Sequence, residues 1–110
     1  MSYTSRSAAE ILSEALWHFQ LAVDYAERGY SDPVVVDAVA LRISAGVEAL
    51  SHLDAGYREQ LFPNWPAMWG MRNRISHGYV FFDTSFIEAT VVMDLPEIIT
   101  VIARSLSDIS

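Results

Sequence analysis

Residues 70–82 read GMRNRISHGYVFF and place Arg72, Asn73, Arg74, Ser76, His77 and Tyr79 within eight positions. These residue types suit phosphate chemistry. A histidine can move a proton near neutral pH. An arginine fork can hold a phosphate through two parallel hydrogen bonds and offset the charge of a pentacoordinate transition state. If RNA supplies its ribose 2′-hydroxyl as nucleophile, phosphodiester cleavage needs neither a metal nor a protein nucleophile. Tyr79 could stack on a base or hydrogen bond to the phosphate. On residue chemistry alone a structural reading competes with this one: Arg72 and Arg74 in surface pairs, His77 closing a helix end, and Tyr79 at the edge of the core.

Spacing limits how these groups can meet. In a helix that reaches His77, Asn73 lies one turn away on the same face. Arg72 stands five positions before His77, about 140° around an ideal helix. Either Arg72 reaches around with its long side chain, or the last turn unwinds before Gly78.

The elements that must position this segment are helices. From about Ser7 to Arg28, Ala8, Leu12, Ala15, Leu16, Phe19, Val23 and Ala26 recur at spacings of three and four and describe a buried stripe, with Gly29 as its terminator. Asp32 and Pro33 then supply a cap and a first-turn proline. The triplet Val34–Val35–Val36 favours a strand by propensity. The later period of Val39, Ile43, Val47 and Leu50 predicts instead a helix to about Leu53, with apolar or small residues on two faces. A short helical turn before Phe62 and Pro63 follows, then a helix from Trp65 to about Ser76. Residues 79–82 read as extended or irregular. Asp83 or Ser85 starts the next helix, Ser85 with Glu88 spelling a capping box, and Pro96 should break or kink it. The sum is an all-α fold: a small antiparallel bundle of four to five helices forming one domain over residues 1–110, with helices one and two a long antiparallel pair.

Composition removes other classes. The chain has 110 residues, a formal charge of −7 and no cysteine, which excludes disulfide scaffolds and cysteine-based metal sites. Its seven basic residues are all arginine, against fourteen acids, which argues against a DNA-coating surface and makes any phosphate site a local positive island. No signal peptide or membrane-length apolar run is visible, so a cytoplasmic protein is expected. His18, between Trp17 and Phe19, and His52, near a helix end, read as structural, and no histidine has metal-ligand spacing. Trp17, Trp65 and Trp69 read as core or dimer contacts, with Trp69 near enough to the motif to serve as a base platform.

Arg72, four intervening residues, His77, one residue and Tyr79 together resemble the Arg-x4-His-x-Tyr motif of the HepT-like ribonuclease toxins, within the HEPN superfamily. Trp65, Gly70, Met71, Asn73 and Gly78 are similar to that group's surrounding pattern, and Asp94–Leu95–Pro96 to a later one. The resemblance implies an all-helical homodimer whose two motifs meet near the subunit interface and cleave RNA without a metal or other cofactor. It implies a toxin of a toxin–antitoxin pair whose partner, a small nucleotidyltransferase, can neutralise it by transferring AMP to the motif tyrosine. By motif position, Arg72 and His77 would be catalytic, Asn73 supporting and Tyr79 modified.

One departure stands out. Family members commonly carry adjacent Gly-Glu in the second helix, with an arginine some seven positions before the glutamate. Here Val47 separates Gly46 from Glu48, and Leu41 takes the arginine position with Arg42 beside it. The resemblance therefore assigns no auxiliary role to Arg42 or Glu48, and Glu48 reads either as a helix residue paired with an arginine or as a polar group facing the site. Two other functions compete with the toxin: a non-catalytic helical module that binds a nucleotidyltransferase or its substrate, and a purely structural dimerisation protein in which the motif is dispensable. Nothing in the sequence supports DNA-specific recognition, a glycine-rich nucleotide loop or a membrane role.

Overall fold

The computed structural model describes residues 6–78 and 83–110, and all their regular structure is helical. Helix α1 spans Ala8–Ala26. Ser7 caps it: its hydroxyl accepts from the Glu10 amide while the Glu10 carboxylate accepts from the Ser7 amide, so two amides that a helix start leaves open are satisfied reciprocally. The helix closes two residues short of Arg28, and Gly29 takes the left-handed backbone, φ +88°, that reverses the chain.

Helix α2, Pro33–Leu50, begins where the sequence signals it, with the Asp32 carboxylate accepting from the Val34 amide. Its last regular residue is Leu50, and the path to Leu53 continues as turns. The short connection folds α2 back along α1 in the most extensive contact of the fold. Gly46 makes that contact close, because a Cβ built there would stand 2.5 Å from the fully buried Phe19 ring. Leu12, Phe19, Ile43, Val47 and Leu50 form the centre of the core.

Helix α3, Ala55–Leu61, is capped by Asp54, and α4 runs Trp65–Ser76 against α2. Helix α5, Thr84–Ala89, is capped by Asp83, whose carboxylate accepts from the Phe86 amide. The Ser85 hydroxyl donates to that same carboxylate, so the Ser85–Glu88 capping box does not form; Asp83 already occupies the capping position.

Pro96 does not break the rod. A π turn over Thr90–Asp94 joins α5 directly to α6, Leu95–Ile109, with the Leu95 amide reaching back five residues to the Thr90 carbonyl. Pro96 is thereby set in the first turn of α6, where its missing amide is tolerated. Ile87, Leu95, Ile98 and Ile102 bury the face of this rod, and α6 packs on α1. The described chain is thus five helical rods, and no helix among the described residues is long and apolar enough to cross a membrane.

Candidate active site

Helix α4 carries the motif. Trp65, Trp69 and Arg72 follow one another at spacings of four and three, so they share a face. The two indole rings stack at 5.8 Å and 28°, and the Arg72 guanidinium stands 4.8 Å from the Trp69 ring centre. Arg58, reaching from α3, places its guanidinium 4.5 Å from the Trp65 ring and donates to the Ser51 carbonyl. Trp65 is therefore a buried part of the chain's own core, while Trp69 is half-buried beneath Arg72.

Arg72 is held at both ends of its fork. Nη2 meets the Glu48 carboxylate on α2 at 2.7 Å, and Nη1 donates to Asn73 Oδ1 at 3.1 Å. Nε is buried without a hydrogen-bond partner. Glu48 in turn has His52 one helical turn away, Nε2 to Oε2 at 3.7 Å. The glutamate weighed in the sequence as either an arginine's partner or a polar group facing the site is an arginine's partner, and that arginine is the one in the motif. Sequence reasoning left this pairing open because it depends on α4 packing along α2, a register set also by the Ser44 and Ser76 hydroxyls, 3.5 Å apart.

The last turn of α4 does not unwind. The His77 amide still bonds to the Asn73 carbonyl at 3.0 Å, and Gly78 then adopts φ +75° and ends the helix. His77 is exposed and shares a face with Asn73; Arg72 remains turned toward α2. Asn73 thus stands between the motif arginine and the motif histidine. Tyr79, and the irregular stretch expected over 79–82, lie outside the described residues.

Arg74 serves another purpose. Nη2 contacts the Asp83 carboxylate at 3.2 Å, and the guanidinium lies 4.1 Å from the Phe86 ring. It ties the end of α4 to the start of α5 across the segment that follows His77. This contact, with hydrogen bonds from Ser85 and the Phe86 amide as the larger causes, holds the Asp83 carboxyl below its ordinary range.

Arg72 and Arg74 both face carboxylates, whereas Arg42 lies against α1, with Nη1 3.1 Å from His18 Nδ1 and its guanidinium 4.9 Å from the Trp17 ring and 6.0 Å from Tyr25. A guanidinium only donates, so His18 Nδ1 is the acceptor and the ring is neutral. Burial, then the charge of Arg42, lowers the His18 pKa, which agrees with its structural reading. Among the described residues no three His, Asp or Glu side chains are placed to hold a metal ion.

Residues 8–105 match the family described as "Ribonuclease HepT-like", and the chain belongs to that family, within the HEPN superfamily. Neither a curated protein nor a solved structure matches the chain.

Proposed function

We propose that this chain is a metal-independent endoribonuclease, the toxin of a toxin–antitoxin pair acting in the cytoplasm, built as one HEPN-like domain over residues 1–110. The observation that carries the reading is Arg72, seated on Trp69 and oriented by Glu48 and Asn73, in a chain of a ribonuclease family. In the reaction, His77 takes the proton of a ribose 2′-hydroxyl, and O2′ attacks the adjacent phosphorus. The bond from phosphorus to O5′ breaks, leaving a 2′,3′-cyclic phosphate and a 5′-hydroxyl. The departing O5′ takes its proton from water or from the second motif of a dimer. Arg72 exchanges Glu48 for the phosphate and stabilises the charge gathering on its oxygens. Asn73 keeps the guanidinium in register.

The same reading makes the protein a homodimer, supported by large apolar side chains left in solvent, Val92 and Met93 on the π turn among them. It makes a nucleotidyltransferase the antitoxin and Tyr79 the acceptor of AMP, on the strength of the motif position. Purified protein incubated with RNA in EDTA tests the core of the proposal. Cleavage that persists in EDTA and stops when the 2′-hydroxyl at the cut site is replaced by hydrogen is the expected result.

A second reading, a non-catalytic module that binds a nucleotidyltransferase or its substrate, draws support from the Glu48 carboxylate that occupies Arg72. Absence of any cleavage, in a protein that still binds its partner, would favour it.

A further inference from the structure

Helix α4 ends level with Ser44, and beyond that point none of the described helices packs over the line of α2 that carries Val34 and Leu41. Val34, Leu41 and Glu48 recur every seven residues and so lie along one line of α2. Leu41 is about 10 Å and Val34 about 20 Å along the helix from Glu48, by the rise per residue. Both are open to solvent, at 64% and 71% exposure. Together with Tyr25, Arg28, Ala38 and Arg42 they line a groove of about 320 Å³ between the end of α1 and the first half of α2.

The charge in this groove is one-sided. Among the described residues neither Arg28 nor Arg42 is ion-paired with a carboxylate, although three of the other arginines are. Asp24, Glu27, Asp32 and Asp37 lie nearby in sequence and are exposed, but none lines the groove. Arg42 is held by the Trp17 and Tyr25 rings and by His18, contacts that fix its place without neutralising it. Trp17 itself is 55% exposed beside it.

Resting on the ribonuclease reading above, we propose that this groove is a subsite for the single-stranded RNA flanking the scissile phosphate. Phosphates would bind Arg28 and Arg42, and bases would pack on Trp17, Tyr25 and the apolar wall. Aromatic faces beside unneutralised arginines are the general means of holding single strands without sequence preference. The line through Glu48 leads directly from this subsite to Arg72. A second copy of the chain fits less well, since a two-fold contact would bring the patch against itself, arginines included, with no carboxylate in the lining to answer them.

The test uses the full chain and a ten-nucleotide 2′-O-methyl RNA, which cannot be cleaved, with binding read by fluorescence anisotropy over a salt series. Arg28→Ala removes an exposed charge, and Leu41→Glu places a carboxylate at an exposed position, so both variants keep the core intact. Each should weaken binding about tenfold, and Arg28→Ala should lower the salt slope by about one. Variants that bind within about twofold of wild type, while wild type cleaves RNA, would overturn the subsite and leave the ribonuclease reading standing. Wild type that binds through the groove yet cleaves no RNA would do the reverse. A fall in oligomeric mass by light scattering in either variant would also overturn the subsite, because the face would then belong to a second copy.

Discussion

Glu48 and Arg72 meet at 2.7 Å across the α2–α4 contact, so the motif arginine rests against a carboxylate, which on the proposed mechanism an RNA phosphate displaces. With Arg72 29% and Glu48 42% exposed, the pair contributes about 1 kcal/mol or less to folding. Its weight falls on function. Glu48→Gln removes a negative charge beside the phosphate site and loosens the guanidinium. The expected outcome is a lower KM together with kcat reduced about ten- to a hundredfold, at nearly unchanged stability. Steady-state cleavage kinetics beside a urea melt would show the split; parallel losses in both would point to a role in folding alone.

His77→Ala should reduce cleavage by about 10²- to 10⁴-fold while leaving the helical circular dichroism spectrum unchanged, because the side chain is exposed at a helix end. Arg72→Lys should restore little of the activity that Arg72→Ala loses, since an ammonium cannot reproduce the fork shared by Glu48, Asn73 and a phosphate. Cleavage by His77→Ala at the wild-type rate would exclude the proton-transfer role.

Tyr79→Phe keeps the ring and removes the hydroxyl that would accept AMP. Incubated with the partner nucleotidyltransferase, ATP and magnesium, wild type should gain an AMP-sized mass and lose activity. The variant should do neither. The same gain in both proteins would place the modification on another residue.

Gly46→Ala should destabilise the fold by about 1–2 kcal/mol, the helix-favouring methyl being outweighed by its collision with Phe19. Thermal melts should show the loss, and adding Phe19→Leu should recover part of it by vacating the collision space. Additive losses in the double variant would mean that the two positions are uncoupled.

Acid should weaken the fold in two stages. The His18 pKa is lowered in the folded chain, by burial first and by Arg42 second, so the unfolded chain takes up a proton that the folded chain refuses. Stability should therefore be full above the ordinary histidine value of about 6.5 and decline as pH falls below it. Glu10 and Asp83, whose pKa values are lowered chiefly by hydrogen bonds at helix starts, add a further loss below about pH 4. Urea midpoints measured from pH 8 to 3 would show both stages, and His18→Gln should remove the first.

Punctuation was legible in the sequence wherever a local group decides it. Asp32 with Pro33, Gly29, and Gly78 after His77 each mark a boundary through a cap or a positive φ that needs only neighbouring residues. What could not be read locally depends on which helices touch. Val34–Val35–Val36 joins a helix because the residues beyond it bury their stripe on α1. Glu48 finds Arg72, and Arg74 finds Asp83, through packing and chain reversal that no spacing announces. Ser85 with Glu88 has the letters of a capping box, but Asp83, two residues earlier, already caps the helix through the Phe86 amide.

The π turn has a consequence for how this protein can vary. It places one residue beyond the α-helical count between α5 and α6, and the wide turn absorbs it, so that Ile87 before it and Leu95, Ile98 and Ile102 after it face one core. Val92 and Met93, turned to solvent there, can be exchanged for other apolar side chains without disturbing the core or the apolar surface of the proposed dimer. Losing either one would let the wide turn close to an ordinary α-helix, which keeps Ile98 and Ile102 facing α1 but returns Pro96 to the middle of a continuous helix, where its ring meets the carbonyl four residues before it. Within this stretch, variation among descendants should therefore run to substitutions, and single-residue deletions should be purged.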